Sequence, residues 1–260
     1  MLKHRYGVLG WPVGHSRSPA MMQAAGLERY QRLPVAPPVF ADTVRALGPA
    51  GFRGANVTIP HKEAALALAT SASDAAREIG AANTLTFGAD GAVHADNTDA
   101  PGLIAALGRA PASAMVLGAG GSARAAVWAL LRAGADVAIW NRTPERAIGL
   151  GARVVAAPVA ADVLVNCTSV GLDHSSNPFQ DFALEADGLV EYATVVDLVY
   201  REGGTALIRE ADERGVATVD GLEILVCQGA LSFTLWTGLA APRHIMRAAV
   251  RERPPDIHAS

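Results

Sequence analysis

Lys62 and Asp99 are the side chains of this sequence best suited to moving a proton. Lys62 ends the run Asn56-Val57-Thr58-Ile59-Pro60-His61-Lys62, at a turn between a strand-like and a helix-like segment, and Asp99 closes Asp96-Asn97-Thr98-Asp99. In an open α/β sheet, ligands sit beyond the carboxyl ends of the strands, where such a turn lies. A lysine and an aspartate converging beside a nicotinamide would supply a proton donor and a group to orient it. Carbonyl reduction needs both, because hydride arrival leaves an alkoxide. Read singly, either residue is an ordinary exposed charge. Ser16 and Ser18 bracket Arg17 in GWPVGHSRSP, ahead of a helix-like stretch. Their hydroxyls could cap free backbone N–H groups or bind an anion, and capping explains one serine better than two. His15 and His61 lie close by, but with no Cys, Glu or further His at ligand spacing they read as loop histidines, and no metal is expected.

A second group of residues points to a dinucleotide. Gly118-Ala119-Gly120-Gly121-Ser122-Ala123 separates a strand-like run, Ala114 to Leu117, from a helix-like run, Arg124 to Ala133. Glycines there permit a tight turn and a side-chain-free approach of a pyrophosphate to the helix N-terminus, and Ala123 stands where helix and strand must pack closely. Alone this is a weak signal, since many strand-to-helix turns contain glycine. The next strand-like run, Asp136 to Trp140, ends in Asn141-Arg142-Thr143, about 23 residues past the first glycine, where the adenosine ribose should lie. NAD sites usually have a carboxylate there. Arg142, with Arg146 one turn later, instead matches a 2′-phosphate in charge and fork geometry, so NADP is expected. The plain alternative is two solvated arginines at a helix start, where the macrodipole slightly disfavours cations.

The frame that positions these residues reads as α/β. The chain has 260 residues, half of them hydrophobic and 18% charged, enough for one large or two modest domains. Strand-like runs (Tyr6 to Leu9, Gly54 to Thr58, Val163 to Asn166, Thr194 to Leu198) alternate with helix-like ones (Ser18 to Gly26, Pro60 to Leu68, Gly102 to Leu107), the pattern of parallel sheets. Asn83 to Phe87 and Gly91 to Ala95 form a strand pair turning near Asp90-Gly91. Arg109-Ala110-Pro111 marks a boundary, and the end of the chain reads as helices from Gly221 to about Thr237 and from Pro242 to about Arg251, before a polar tail. The net charge of −3, without blocks of like charge, gives no footprint for nucleic acid or an anionic membrane, so the expected partner is a small molecule. Cys167 and Cys227 each lie in an apolar run, as buried thiols in a reducing compartment would. No window approaches the roughly 18 apolar residues of a membrane helix, and Gly7, Gly10, Pro12 and Gly14 interrupt any signal-peptide core, so a cytoplasmic location is expected.

Taken together the segments resemble shikimate dehydrogenases from about Tyr6 to Gly238. The likeness lies in GWPVGHSRSP, NVTIPHK, GAANTL, DNTD, GAGGSARA, NRT, NCTSVGL, DLVY and GLEILVCQGALSF, in that order. It implies a substrate domain of residues 1–101, completed by helices in 229–260 that pack back on it, and a Rossmann-like NADP domain of residues 102–228. It further implies that Ser16 and Ser18, with Tyr200 nearby, bind a substrate carboxylate, and that Thr58, Asn83, Asp99 and Gln228 hold ring hydroxyls. Lys62 and Asp99 would be the catalytic pair in reversible reduction of 3-dehydroshikimate to shikimate. Gly221 and the segment Thr168 to Gly171 would lie near the nicotinamide, in a monomer or homodimer. Three departures stand out. Met22 and Gln23 replace a His-Asn pair and are expected to be buried, Glu202 takes a proline position after DLVY, and Pro101 follows DNTD where a helix start tolerates it. A quinate/shikimate or aminoshikimate dehydrogenase with broader substrate or NAD use is the nearest alternative, but Ser18 and Thr143 stand where quinate- and NAD-preferring relatives tend to have Thr and an acidic residue. A regulatory module that binds without turnover would gain nothing from keeping Lys62 and Asp99.

Overall fold

The computed structural model of the protein describes residues 4–173 and 177–252, and the polar tail expected after the last helix lies outside them. Up to Leu107 the chain forms β1 (Arg5–Gly10), α1 (Ser18–Ala24), β2 (Tyr30–Pro34), α2 (Phe40–Leu47), β3 (Phe52–Val57) and α3 (Lys62–Leu68), then β4 (Ser71–Ala72), α4 (Asp74–Ile79), β5 (Thr84–Phe87), β6 (Val93–Asp96) and α5 (Asp99–Leu107). Next come β7 (Ser113–Leu117), α6 (Gly121–Arg132), β8 (Asp136–Trp140), β9 (Arg153–Val154) and β10 (Ala161–Asn166). The remainder is α7 (Pro178–Asp181), β11 (Tyr192–Asp197), α8 (Ala206–Glu213), β12 (Ala217–Val219), α9 (Gly221–Thr237) and α10 (Arg243–Arg251).

The first sheet has the order β2-β1-β3-β5-β6-β4. β1 runs parallel to β2 and β3, β4 parallel to β6, and β5 alone is antiparallel to its neighbours β3 and β6, so the sheet is mixed but mainly parallel. The second sheet, β12-β11-β10-β7-β8-β9, is parallel throughout. Its strands are nearly continuous apolar runs because helices cover both faces. The strand order reverses between β7 and β10, which opens a crevice at their carboxyl ends.

One face of the first sheet packs Leu9, Phe52 and Leu85 against Phe40 and Val44 of α2. Its other face packs Tyr6 and Val8 against Met21 and Met22 of α1, Val226, Ala230 and Phe233 of α9, and Met246 and Val250 of α10. The final helices therefore return to the first sheet, as expected. α5 and α9 run between the sheets and touch closely. A Cβ on Gly102 would lie 2.9 Å from the Gln228 backbone nitrogen. Divisions at 101/102 and 228/229 thus fall inside these two helices.

Several expectations need correction. α5 starts at Asp99 rather than Gly102, α3 at Lys62 rather than Pro60, and α6 at Gly121 rather than Arg124, so the glycine turn continues directly into its helix. His61 does lie in the loop just before α3, but it is tied down there. It is buried, its Nε2 is 2.7 Å from the Val35 carbonyl, and its ring stacks on Phe40 with centroids 4.2 Å apart. Met22 is buried as expected, but Gln23 is exposed and donates from Nε2 to the Tyr30 carbonyl. Among the described residues no helix is long and apolar enough to cross a membrane, and no cluster of His, Cys, Asp and Glu could hold a metal ion.

Candidate active site

The stacked and hydrogen-bonded His61 anchors the start of α3, so Lys62 enters the cleft from a fixed point. Its ammonium donates to Asp99 Oδ2 at 2.7 Å and to Ser122 Oγ at 2.8 Å. The two charged side chains are only 10% and 15% exposed. Asp99 sits in the first turn of α5, where the helix dipole favours a carboxylate, whereas the dipole of α3 opposes the Lys62 charge and the ion pair offsets it. Removing one partner of so buried a pair strands the other, at a cost of about 3–5 kcal/mol. Asp99 Oδ1 accepts from Asn83 Nδ2 at 2.8 Å.

Asn83 links this pair to a buried polar network. Its Nδ2 also reaches Thr98 Oγ1 and Gln228 Oε1, and its Oδ1 accepts from the Thr98 backbone N–H at 2.7 Å. Below it, Asn56 Nδ2 donates to Ser232 Oγ at 2.9 Å and to Thr84 Oγ1 at 3.2 Å, and Asn56 Oδ1 accepts from the hydroxyl of fully buried Tyr30. Burial and the neighbouring Tyr200 push the Tyr30 phenol up, against a lowering contact with Ser18, so Tyr30 stays a neutral donor. The sequence reading missed Tyr30, Asn56, Thr84, Thr98 and Ser232. Asn56 alone left a signal, a polar residue inside an apolar strand.

The opposite end of the cavity suits an anion. Ser16 Oγ accepts from the Ser18 N–H at 3.3 Å, and Tyr200 Oη accepts from the Arg17 N–H at 3.3 Å. Ser16 thus takes up the first N–H of α1 from outside the N-cap position, which is held by Arg17 and makes no side-chain cap bond. Arg32, unsuspected from the sequence, donates from Nε and Nη2 to the Ser16 carbonyl at 2.9 and 2.7 Å and fixes the loop. Burial pushes the Tyr200 phenol up, keeping it protonated as a donor. Ser16, Ser18, Thr58, Lys62, Asn83, Asp99, Tyr200 and Gln228 all line one cavity, joined by Ser122, Thr168 and Gly221 from the second sheet's side.

Of the glycine turn only Ser122 lines that cavity, and Gly118 to Gly121 lie behind it. Gly118 has φ +106°, a conformation L side chains rarely adopt, and lies close against Thr168. A Cβ on Gly121 would be 2.9 Å from Lys62 Cβ, whereas one on Gly120 would meet nothing within 4 Å, leaving open space in front of the α6 N-terminus. Ala119 and Ala123 are buried beside the strands. Gly221 packs so tightly that a Cβ would lie 2.7 Å from the Leu198 and Val199 carbonyls. Beyond β8, Asn141 Nδ2 donates to the Thr143 carbonyl and shapes the bend. Arg142 and Arg146 on this bend are exposed and make no ion pair among the described residues. They lie outside the cavity with Asn141 and Thr143. Open backbone at a helix N-terminus with uncommitted guanidiniums one strand away fits a dinucleotide carrying an extra phosphate.

Beside the turn, Thr168 donates to Asn166 Oδ1 at 2.8 Å, and Asn166 donates to Asp197 Oδ1 at 2.9 Å. Asp197 also accepts from Thr205 Oγ1 at 2.6 Å and from the Val199 N–H. Burial pushes its carboxyl up to about 6 despite these three donors. Cys167 and Cys227 are buried free thiols. Burial pushes the Cys167 thiol up, so it lines the cavity as a neutral apolar surface.

The family model described as the shikimate dehydrogenase substrate binding domain matches residues 8–85, and that of the shikimate 5′-dehydrogenase C-terminal domain matches residues 221–251. A shikimate dehydrogenase (NADP(+)) of Thermus thermophilus is 45% identical, covering 95% of this chain and 97% of that one. The crystal structure of a Thermus thermophilus shikimate 5-dehydrogenase in complex with NADP(H) and shikimate superposes with a TM-score of 0.84 at 42% identity, over 95% and 98% of the two chains. That of the Aquifex aeolicus shikimate dehydrogenase gives 0.86 at 35% identity, over 97% and 99%. With such identity across nearly the full length of these proteins, this chain belongs to the shikimate dehydrogenase family.

Proposed function

We propose that this protein is an NADP-dependent oxidoreductase that interconverts 3-dehydroshikimate and shikimate, with Lys62 as proton donor in reduction and proton acceptor in oxidation. The observation that carries this reading is the meeting of the Lys62–Asp99 pair with the glycine turn at one cavity wall. The cofactor, when bound, supplies a hydride to the C3 ketone or takes one from the C3 hydroxyl. Lys62 gives its proton to the oxygen on which charge develops, and Asp99 holds the ammonium in place. Ser16, Ser18 and Tyr200 bind the carboxylate, and Thr58, Asn83, Asp99 and Gln228 orient the ring hydroxyls. Gly118 to Ala123 hold the pyrophosphate, Asn141, Arg142, Thr143 and Arg146 the 2′-phosphate end, and Thr168 and Gly221 flank the nicotinamide.

Residues 1–101 with 229–260 form the substrate-binding part in this reading, and residues 102–228 the NADP-binding part, with α5 and α9 shared between them. The test is the initial rate of nicotinamide absorbance change with shikimate or quinate, each paired with NADP or NAD. Turnover confined to shikimate and NADP is expected. Comparable turnover of quinate with NAD would replace the narrow assignment with the broader one, and binding without turnover on any pair would overturn the enzymatic reading.

A further inference from the structure

We propose that the Ser122 hydroxyl is a positioning residue for the acid–base lysine: it holds the Lys62 nitrogen in both of its protonation states and ties it to the turn that carries the cofactor. The inference rests in part on the role proposed for Lys62 above.

An ammonium has three N–H bonds. Two of those on Lys62 are directed, one to Asp99 Oδ2 and one to Ser122 Oγ, which leaves the third to point into the cavity. The two anchors differ chemically. An ionised Asp99 can only accept, whereas a serine hydroxyl can accept or donate. In reduction the carbonyl carbon takes the hydride pair, its oxygen takes one Lys62 proton, and the lysine is left as a neutral amine until water reprotonates it. That amine has a lone pair which Asp99 cannot satisfy. Ser122 can turn its O–H towards it, so the nitrogen keeps an anchor at the stage when it must be ready to take a proton back.

The contact also joins the two sheets. Lys62 begins α3 beside the first sheet, while Ser122 lies in the first turn of α6 beside the second. Gly121 adds to this, since its missing side chain is what lets the turn sit against the Lys62 stem. The turn thus sets where the lysine stands, in addition to any contact it makes with phosphate.

The sequence allows a direct reading, because Lys62 and Lys3 are its only lysines. Trace acetylation of the ligand-free protein with acetic anhydride, quantified by mass spectrometry at Lys62 relative to Lys3, reports how firmly Lys62 is held. In Ser122→Ala the ratio should rise about threefold, and kcat should fall about tenfold in both directions, a larger factor than any change in the KM for NADPH, the pattern of a misplaced catalytic group. Ser122→Thr, which restores a hydroxyl, should recover most of both losses, and thermal unfolding of all three proteins checks that the fold is intact. An unchanged ratio with unchanged kcat overturns the proposal. So does a raised KM for NADPH at unchanged kcat, which would make Ser122 a cofactor contact alone. If the wild-type protein turns over no substrate, the activity assignment fails separately: a raised labelling ratio in Ser122→Ala still supports the contact, and an unchanged ratio overturns it.

Discussion

The wall of the cleft that belongs to the first sheet holds Asn56, Asn83, Thr84, Thr98, Gln228 and Ser232 buried and bonded to one another, whereas the wall that belongs to the second presents a glycine turn and, beyond it, two exposed arginines. Both walls are polar, but they pay for it differently. A buried network is pre-organised and stiff, and breaking one member leaves the others unsatisfied in a low-dielectric interior. Exposed guanidiniums and open backbone are solvated until a ligand arrives, so they can change with little effect on folding. On this basis discrimination among hydroxylated rings is coupled to stability, and discrimination between cofactors is not.

Four measurements bear on that contrast. The largest effect is expected for Lys62→Met, with kcat reduced by about two orders of magnitude or more and shikimate affinity less affected. A near-wild-type kcat would remove the reactive centre from the buried wall. Asn83→Ala should cost about 3 kcal/mol in urea unfolding as well as activity, because it leaves Thr98, Asp99 and Gln228 each short of a partner. A loss below about 1 kcal/mol would mean that the network carries little of the fold.

Asp197 is the exception on the cofactor side, a fully buried carboxyl raised from 3.8 to about 6. The folded state keeps its proton where the unfolded chain has released it, so its stabilising contribution is present below about pH 4 and lost as pH rises through about 6. The stability advantage of the wild type over Asp197→Asn should therefore shrink by roughly 2–3 kcal/mol between pH 4 and pH 7. A pH-independent difference would show that the three donors already keep the carboxyl ionised. The smallest effect is expected for Arg142→Ala, with the KM for NADPH raised about tenfold, that for NADH unchanged, and stability altered by less than about 0.5 kcal/mol. Equal effects on both cofactors would mean that Arg142 does not read the phosphate.

The residues that were legible in the sequence are those in local patterns. The glycine turn, Arg142 after the second strand, and Lys62 at a strand-to-helix turn each lie beside elements whose periodicity is clear. Tyr30, Thr84 and Ser232 were not legible, because their role depends on contacts across long separations, such as Asn56 with Ser232. β2 was missed because only Tyr30 of its five residues is buried, so no alternation appears. α2 has apolar Phe40, Val44 and Leu47 at helical spacing, and α4 has a Ser73 cap and a left-handed Gly80, so both left signals in segments too short to stand out. Arg32 left no signal either, because its role is the fork that holds the Ser16 carbonyl, a contact made only once the chain is folded.

The return of the last helices to the first sheet has a consequence for synthesis on the ribosome. Tyr6 and Val8 emerge well before Phe233, Met246 and Val250, which help to cover them. The other face of that sheet closes earlier, because its core draws its buried members only from Leu9 to Ala95, and a core on the second sheet needs only Met115 to Ala211. One face of the first sheet is thus enclosed later than either of these cores, and until α9 and α10 emerge its uncovered side chains are what a chaperone would meet.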